Sequence, residues 1–166
     1  LTPITLELGG KSPAIVIDGA DLTVSARRLI WGKSLNAGQT CIAPDHLFVQ
    51  KSLKKNLLNE MVRAIEDFYG NAPLKSQHLG RIVNDRQYQK LKDLLRSAKE
   101  KGQVIFGGEF DDRERRISPT LIDVENRDDP LMEEELFGPL MPILSIANFK
   151  EIINDIRDQP RPLAIY

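Results

Sequence analysis

Two hydrophobic periods alternate along this chain, and nothing else in it constrains the fold as much. Short β-branched runs are separated by longer stretches whose apolar positions recur every three or four residues. A strand turns a side chain to the same face every second residue and a helix about every 3.6, so such a chain has to lay helices against a sheet. Ile4–Leu8 and Ala14–Ile17 read as strands, and the turn Asp18-Gly19-Ala20-Asp21 offers Asp21 as a helix N-cap. From Leu22 to about Asn36, Leu22, Ala26, Leu29, Ile30 and Lys33 fall on one helical face, with Arg27 and Arg28 on another, until Gly38 breaks the pattern. Leu47–Val49 is the next strand. Ser52 is the expected cap of a helix whose stripe is Leu53, Leu57, Met61, Ala64, Ile65 and Phe68, closed by Gly70 and Pro73.

After a loop from Asn71 to Leu79, Asn84 or Asp85 caps a helix with Tyr88, Leu91, Leu94, Leu95 and Ala98 inward, and Gly102 stops it. Val104–Phe106 reads as a strand running into Gly107-Gly108. The charged run Asp111–Arg116 reads as a solvated loop or hairpin tip, and Pro119–Val124 resumes extended structure. Leu140–Ile146 is a further strand, Phe149–Arg157 a short amphipathic helix and Leu163–Tyr166 a last strand. Strand and helix in repeated alternation predict an α/β domain with a largely parallel sheet flanked by helices. No internal repeat, heptad run or low-complexity linker interrupts it.

Composition narrows the chemistry. At 166 residues a domain buries roughly 68–70% of its unfolded surface, enough for a core without disulfides or metal. One cysteine, Cys41, cannot form an intrachain disulfide, and with only His46 and His78 beside it no Cys/His zinc site is expected, so the metal expectation is none. A lone thiol and an opening that includes Glu7 and lacks the basic start of a signal peptide suit a cytoplasmic protein. With 23 Lys+Arg against 24 Asp+Glu there is no field to attract nucleic acid or an anionic membrane, and no run is long enough to span a bilayer. Thr2–Leu8 and Pro162–Tyr166 both read as strand where chain ends are usually polar and frayed, which predicts that both ends were cut from a longer chain.

Three segments are neither helix nor strand filler. In Glu7-Leu8-Gly9-Gly10-Lys11-Ser12-Pro13 an acid ends a strand and two glycines let the backbone approach a ligand, without GxGxxG spacing or a Walker pattern. As a bare pattern it is also an ordinary strand-ending turn. In Asn36-Ala37-Gly38-Gln39-Thr40-Cys41-Ile42-Ala43-Pro44 the only thiol follows a helix, a glycine and two polar residues, where it is either an activated nucleophile or a buried inert cysteine. His46, nearby, reads as packing or surface rather than as a base. Glu133-Glu134-Glu135-Leu136-Phe137-Gly138-Pro139 alone reads as a solvated helix end and turn.

Taken together and in this order, Glu7 to Pro13, Gly38 to Cys41 and Glu135 to Pro139 closely resemble the catalytic domain of the NAD(P)-dependent aldehyde dehydrogenases, and the interval from Glu7 to Cys41 fits that family. The resemblance extends over essentially the whole chain. Trp31-Gly32-Lys33, Asn36 to Asp45 and Pro162 to Tyr166 are most similar to its class 3 branch, which acts on fatty and aromatic aldehydes. The resemblance implies that Cys41 is the nucleophile and Glu7 the base that activates water. It further implies that Glu135 bonds the nicotinamide ribose of NAD or NADP, that Phe137 packs near the ring, and that the backbone at Leu8 and Gly9 lies close to the cofactor. Gln87 and Lys90 occupy a region that in related enzymes touches the adenosine ribose.

On this resemblance residues 1–166 are most of a catalytic, thiol-bearing domain truncated at both ends. The cofactor-binding domain, the second oxyanion donor (an Asn side chain) and the dimerisation arm are absent. The expected substrate is a small-molecule aldehyde, the expected assembly of the parent enzyme a homodimer or higher homo-oligomer, and the chain by itself is expected to turn over little or nothing. Two alternatives remain at this point. One is an acyl-transferring relative that passes the thioester to coenzyme A or phosphate, and the other is a non-catalytic interaction domain with the inherited fold.

Overall fold

β-branched and aromatic residues with apolar character on both sides, as in the runs beginning at Pro13, His46 and Leu140, need cover on two faces, and the chain supplies it with helices above and below one sheet. The computed structural model describes residues 2–166. In chain order its strands are β1 (Pro13–Val16), β2 (His46–Gln50), β3 (Val104–Phe106), β4 (Phe110–Asp111), β5 (Arg116–Ile117), β6 (Thr120–Val124) and β7 (Leu140–Ile146). The helices are α1 (Leu22–Ser34), α2 (Lys54–Tyr69), α3 (Asp85–Glu100) and α4 (Phe149–Arg157).

The main sheet runs β1-β2-β7-β6-β3. Neighbours among β1, β2, β7 and β6 are parallel, and β3 pairs antiparallel with β6. Strand alternation divides the core in two. Leu47, Val49, Met141 and Ile143 face α1 and α2, whereas Phe48, Leu140, Leu144 and Ile146 face α3 and α4. On α2 the buried residues Leu57, Met61, Ala64 and Ile65 form the expected stripe, each large member contributing roughly 1.5–3 kcal/mol by burial. The expected α/β architecture with a mostly parallel sheet is therefore the one observed.

Side chains cap three helices, the sequence having marked Asp21 and Asn84 but not Asn148. Asp21 accepts from the Val24 N–H at 3.0 Å, Asn84 from Gln87 at 2.9 Å and Asn148 from Lys150 at 3.0 Å. At α2 the expectation fails. Leu53, not Ser52, is the N-cap and no side chain caps it, because the Leu53 N–H donates to the Gln50 carbonyl at 2.9 Å and a tight turn swings the chain from β2 straight into the helix.

Two expected strands are also absent. Residues Ile4–Leu8 have the alternation of a strand but no partner, leaving Ile4, Leu6 and Leu8 80%, 74% and 85% exposed. Leu163–Tyr166 is not a regular strand either. Tyr166 nevertheless exchanges backbone hydrogen bonds with β1, its N–H donating to Pro13 at 3.0 Å and its carbonyl accepting from Ile15 at 2.9 Å. The charged run at 111–116 is a hairpin tip between β4 and β5, and it is pinned rather than free: Asp112 accepts from the Tyr88 hydroxyl at 2.9 Å and pairs with Lys92, and Arg115 pairs with Asp85 at 3.0 Å.

Candidate active site

Parallel pairing brings the three sequence segments together. Each runs directly into a strand: the first into β1, the second into β2 and the third into β7, and these strands lie side by side and point the same way. Segments far apart in sequence therefore meet at the amino ends of three adjacent strands. Many open α/β sheets bind ligands at the carboxyl ends instead.

Cys41 is exposed, on a turn closed by the Ala43 N–H donating to the Thr40 carbonyl at 2.9 Å. Its own N–H has no acceptor among the described residues, leaving it available to an oxyanion. The approach to this turn is left-handed at Asn36 (φ 51), Ala37 (φ 55) and Gly38 (φ 77). For Ala37 this costs about 1 kcal/mol, and such strain gathers where geometry is over-determined by its surroundings. Here the surroundings are visible. Gln39 is buried, its Nε2 donating to the carbonyls of Asn36 at 3.0 Å and Arg81 at 2.9 Å and its Oε1 accepting from the Val83 N–H at 2.8 Å. A Cβ at Gly38 would overlap the Gly138 carbonyl, so the thiol loop and the Glu135 loop pack backbone to backbone. The Tyr166 hydroxyl donates to the Ile42 carbonyl and ties down the other side of the turn.

Glu135 stands against Gly9, where an added Cβ would lie 2.5 Å from Oε2, and Gly9 itself has φ 83. The two, with Leu8, line a cavity of about 290 Å³ that also takes in Lys11, His46 and Arg127. Burial pushes the Glu135 carboxyl above its usual range, against the opposing effects of the Gly10 amide, Lys33 and Lys11. Phe137 is left-handed at φ 48. Gln87 and Lys90, the helix positions noted in the sequence, both grip this loop: Gln87 Nε2 donates to the carbonyls of Leu136 at 2.7 Å and Phe137 at 3.1 Å, and Lys90 pairs with Glu134 at 2.6 Å. Glu7, by contrast, is exposed, and among the described residues no hydrogen bond or ion pair joins it to Cys41, to Glu135 or to anything else.

Beneath the loops lies a cluster that sequence reasoning missed. Asp45 is buried, accepts Lys11 Nζ at 2.5 Å and holds Lys33 Nζ on its own carbonyl at 3.3 Å. Burial drives the Lys33 ammonium down to about 8 from 10.5 and lowers Lys11 in the same direction. Burial also works against the Asp45 carboxylate, but the charges of Lys33 and Lys11 and the Lys11 hydrogen bond outweigh it and hold the group below the usual carboxylate range. His46 is 1% exposed and stacks edge-on against Phe48. Its Nδ1 is 3.7 Å from Asp45, beyond bonding distance, and neither ring nitrogen has a partner among the described residues. Burial accordingly keeps the imidazole neutral, down to about 4. Lys11 and Asp45 both lie inside the segments singled out from sequence, but nothing in the linear pattern indicates that they pair.

The residues present suit a dinucleotide at one end only. The half-buried Glu135 carboxylate, set against Gly9, can accept hydrogen bonds from hydroxyls of a sugar, and Phe137 lies two positions further along the same loop. Among the described residues no group of three or more His, Cys, Asp or Glu side chains could hold a metal ion, and no helix is long and apolar enough to cross a membrane.

Comparison with known proteins points one way. The aldehyde dehydrogenase family model matches residues 1–164. The rat (Rattus norvegicus) dimeric NADP-preferring aldehyde dehydrogenase is 44% identical over 167 aligned residues, which take in 100% of this chain and 36% of that protein. The 4,4'-diaponeurosporen-aldehyde dehydrogenase of Staphylococcus aureus is 44% identical, and mouse (Mus musculus) aldehyde dehydrogenase family 3 member A2 43% identical, each over the whole of this chain. Among solved structures, Staphylococcus aureus AldH in its substrate-bound state superposes with a TM-score of 0.95 at 43% identity, covering 99% of this chain and 35% of that one. An indole-3-acetaldehyde dehydrogenase complexed with NAD+ gives a TM-score of 0.82 at 28% identity, covering 96% and 33%. The chain thus spans about a third of the length of these relatives.

Proposed function

The chain belongs to the aldehyde dehydrogenase family, and on that premise we propose that it is the thiol-bearing part of a longer enzyme that oxidises aldehydes to carboxylic acids with NAD or NADP. The observation that carries the reading is the exposed Cys41, its backbone N–H without an acceptor among the described residues, on a turn whose left-handed approach at 36–38 packs against the Glu135 loop. An aldehyde carbon needs a nucleophile that adds readily and can be expelled later, and a thiolate does both. Cys41 Sγ adds to the carbonyl carbon to give a thiohemiacetal, whose oxyanion the Cys41 N–H can meet. When bound, the nicotinamide supplies the acceptor for the hydride. The remaining thioester on Cys41 is hydrolysed by a water whose proton passes to Glu7, releasing the acid and the free thiol.

For the cofactor, Glu135, Phe137 and the backbone at Leu8 and Gly9 are the proposed contacts, with Glu135 accepting hydroxyls of the ribose. An apolar groove of about 640 Å³ reaches Thr40 and Ile42 on either side of Cys41, lined in part by Trp31, Leu35 and Tyr166. It favours fatty or aromatic aldehydes as substrates. Glu7 favours hydrolysis over transfer of the acyl group to coenzyme A, since hydrolysis requires a base to activate water and transfer to a thiol does not. Assembly as a homodimer or higher homo-oligomer, and a cytoplasmic location, belong to the same proposal.

Steady-state NAD(P)H formation from a medium-chain or aromatic aldehyde by the whole enzyme tests it. Cys41→Ala should lower the rate by roughly 10³-fold or more and abolish ester hydrolysis, whereas Glu7→Gln should leave a pre-steady-state burst of NAD(P)H and slow the turnover that follows. Normal turnover by Cys41→Ala, or an acyl-CoA as the product, overturns the reading.

A further inference from the structure

Glu135 lies on a loop without regular structure, so what places its carboxylate is whatever grips the loop's backbone. Lys11 Nζ donates to the carbonyls of Leu131 at 2.8 Å and Glu134 at 3.0 Å, and Asp45 Oδ1 accepts from the Leu136 N–H at 2.9 Å. These two side chains are bonded to each other and are only 15% and 3% exposed. A buried ion pair gives little net stability, because desolvation offsets its attraction, and an apolar pair would fill the same space as well. Directional hydrogen bonds to a neighbouring backbone are what an apolar pair cannot provide. The location matters too. Lys11 follows Glu7 by four positions, Asp45 follows Cys41 by four, and the segment they hold carries Glu135 and Phe137.

We propose that Lys11 and Asp45 are positioning residues, a buried brace that sets the cofactor-side loop, 131–137, in register with the Cys41 turn. The inference rests on the roles given to Cys41 and Glu135 above. The brace touches neither thiol nor substrate; it acts through Glu135. Loosening it should cost cofactor affinity while sparing the nucleophile, since the turn around Cys41 is held separately by Gln39 and Tyr166.

The test uses the whole enzyme with Lys11→Met, which keeps the length of the side chain and removes its three hydrogen bonds, and Asp45→Asn, an isosteric change that remains informative if the first variant fails to fold. Amide exchange over 131–137 is read by mass spectrometry, NADH and NADPH binding by fluorescence titration, and Cys41 by its rate of alkylation with iodoacetamide. Exchange should quicken and cofactor binding weaken, each by roughly tenfold, with the cofactor KM rising in step, kcat changing less than about threefold and alkylation unchanged. Lys11→Arg should restore most of the affinity. Faster exchange with unaltered cofactor binding, or no change in exchange, overturns the positioning role. A wild-type enzyme that binds neither dinucleotide and oxidises no aldehyde overturns the functional reading instead, so the two failures are separable.

Discussion

Residues 2–8 and residues 133–138 are both irregular segments that lead into parallel strands, and both carry an acid singled out from sequence, Glu7 in one and Glu135 in the other. They are held very differently. The second is fastened by Lys11, Asp45 and Gln87 and packed against the thiol loop at Gly38. The first has strand-like alternation, large apolar side chains in solvent and no bond from its acid to anything described. Half of the proposed site is thus pre-organised within this chain: the Cys41 and Glu135 loops are set relative to each other, and Glu7 is not. Unpaired polar backbone and exposed leucines are what a segment shows when its partners lie elsewhere.

The contrast is open to attack at its rigid end first. Gly38→Ala would force a Cβ into the Gly138 carbonyl at a backbone φ of 77, and the chain should lose about 3 kcal/mol or more in urea unfolding. An unchanged midpoint would mean that the two loops are not packed as described.

Next comes acid. Burial holds the His46 imidazole down at about 4 against 6.5, so between these values the unfolded chain binds a proton that the folded chain refuses. Stability should therefore fall as pH drops from 6.5 to 4, by roughly 3 kcal/mol in all. Asp45 works further down: its carboxyl is held below the usual range, so its contribution is present above about 3.8 and is lost as the pH falls lower. His46→Phe keeps the edge-on contact with Phe48, removes two unpartnered nitrogens and should flatten the limb between 6.5 and 4 without weakening the fold at pH 7. An acid limb that survives the substitution would place the titrating group elsewhere.

The smallest effect should come from the loose segment. Glu7→Gln or Leu6→Ser, both at exposed positions, should shift stability by less than about 0.5 kcal/mol. A larger loss would show that residues 2–8 are packed after all.

Much of the fold was legible because periodicity is a local record of which face will be buried. The stripe Leu57, Met61, Ala64, Ile65 and the caps Asp21 and Asn84 need only neighbours a turn away to declare themselves. Ile4–Leu8 shows where this logic stops. β-branched alternation states that a segment would suit a sheet, and only a partner strand makes it one. Ser52 is a milder case, since it suits a cap but the turn out of β2 sets the helix start one residue later.

The candidate site divides in the same way. Cys41, Glu7, Glu135 and Phe137 were marked by the resemblance of their three segments, taken together, to a known family, and the further fact that each segment precedes a strand of one parallel sheet implies that they converge. The brace was not legible, because Lys11 and Asp45 meet only after β1, β2 and β7 are set side by side.

Residue order alone determined the alternation of helix and strand and the two-faced core, since periods act over a few positions, and the three segments in their order carried the resemblance that implies thiol chemistry. Tertiary structure decided which acid is held and which is bare, that a lysine and an aspartate would be buried together beneath the loops, and that the thiol would face solvent. Those outcomes depend on the packing of segments distant in sequence, where desolvation and directional hydrogen bonds, not local propensity, set the result.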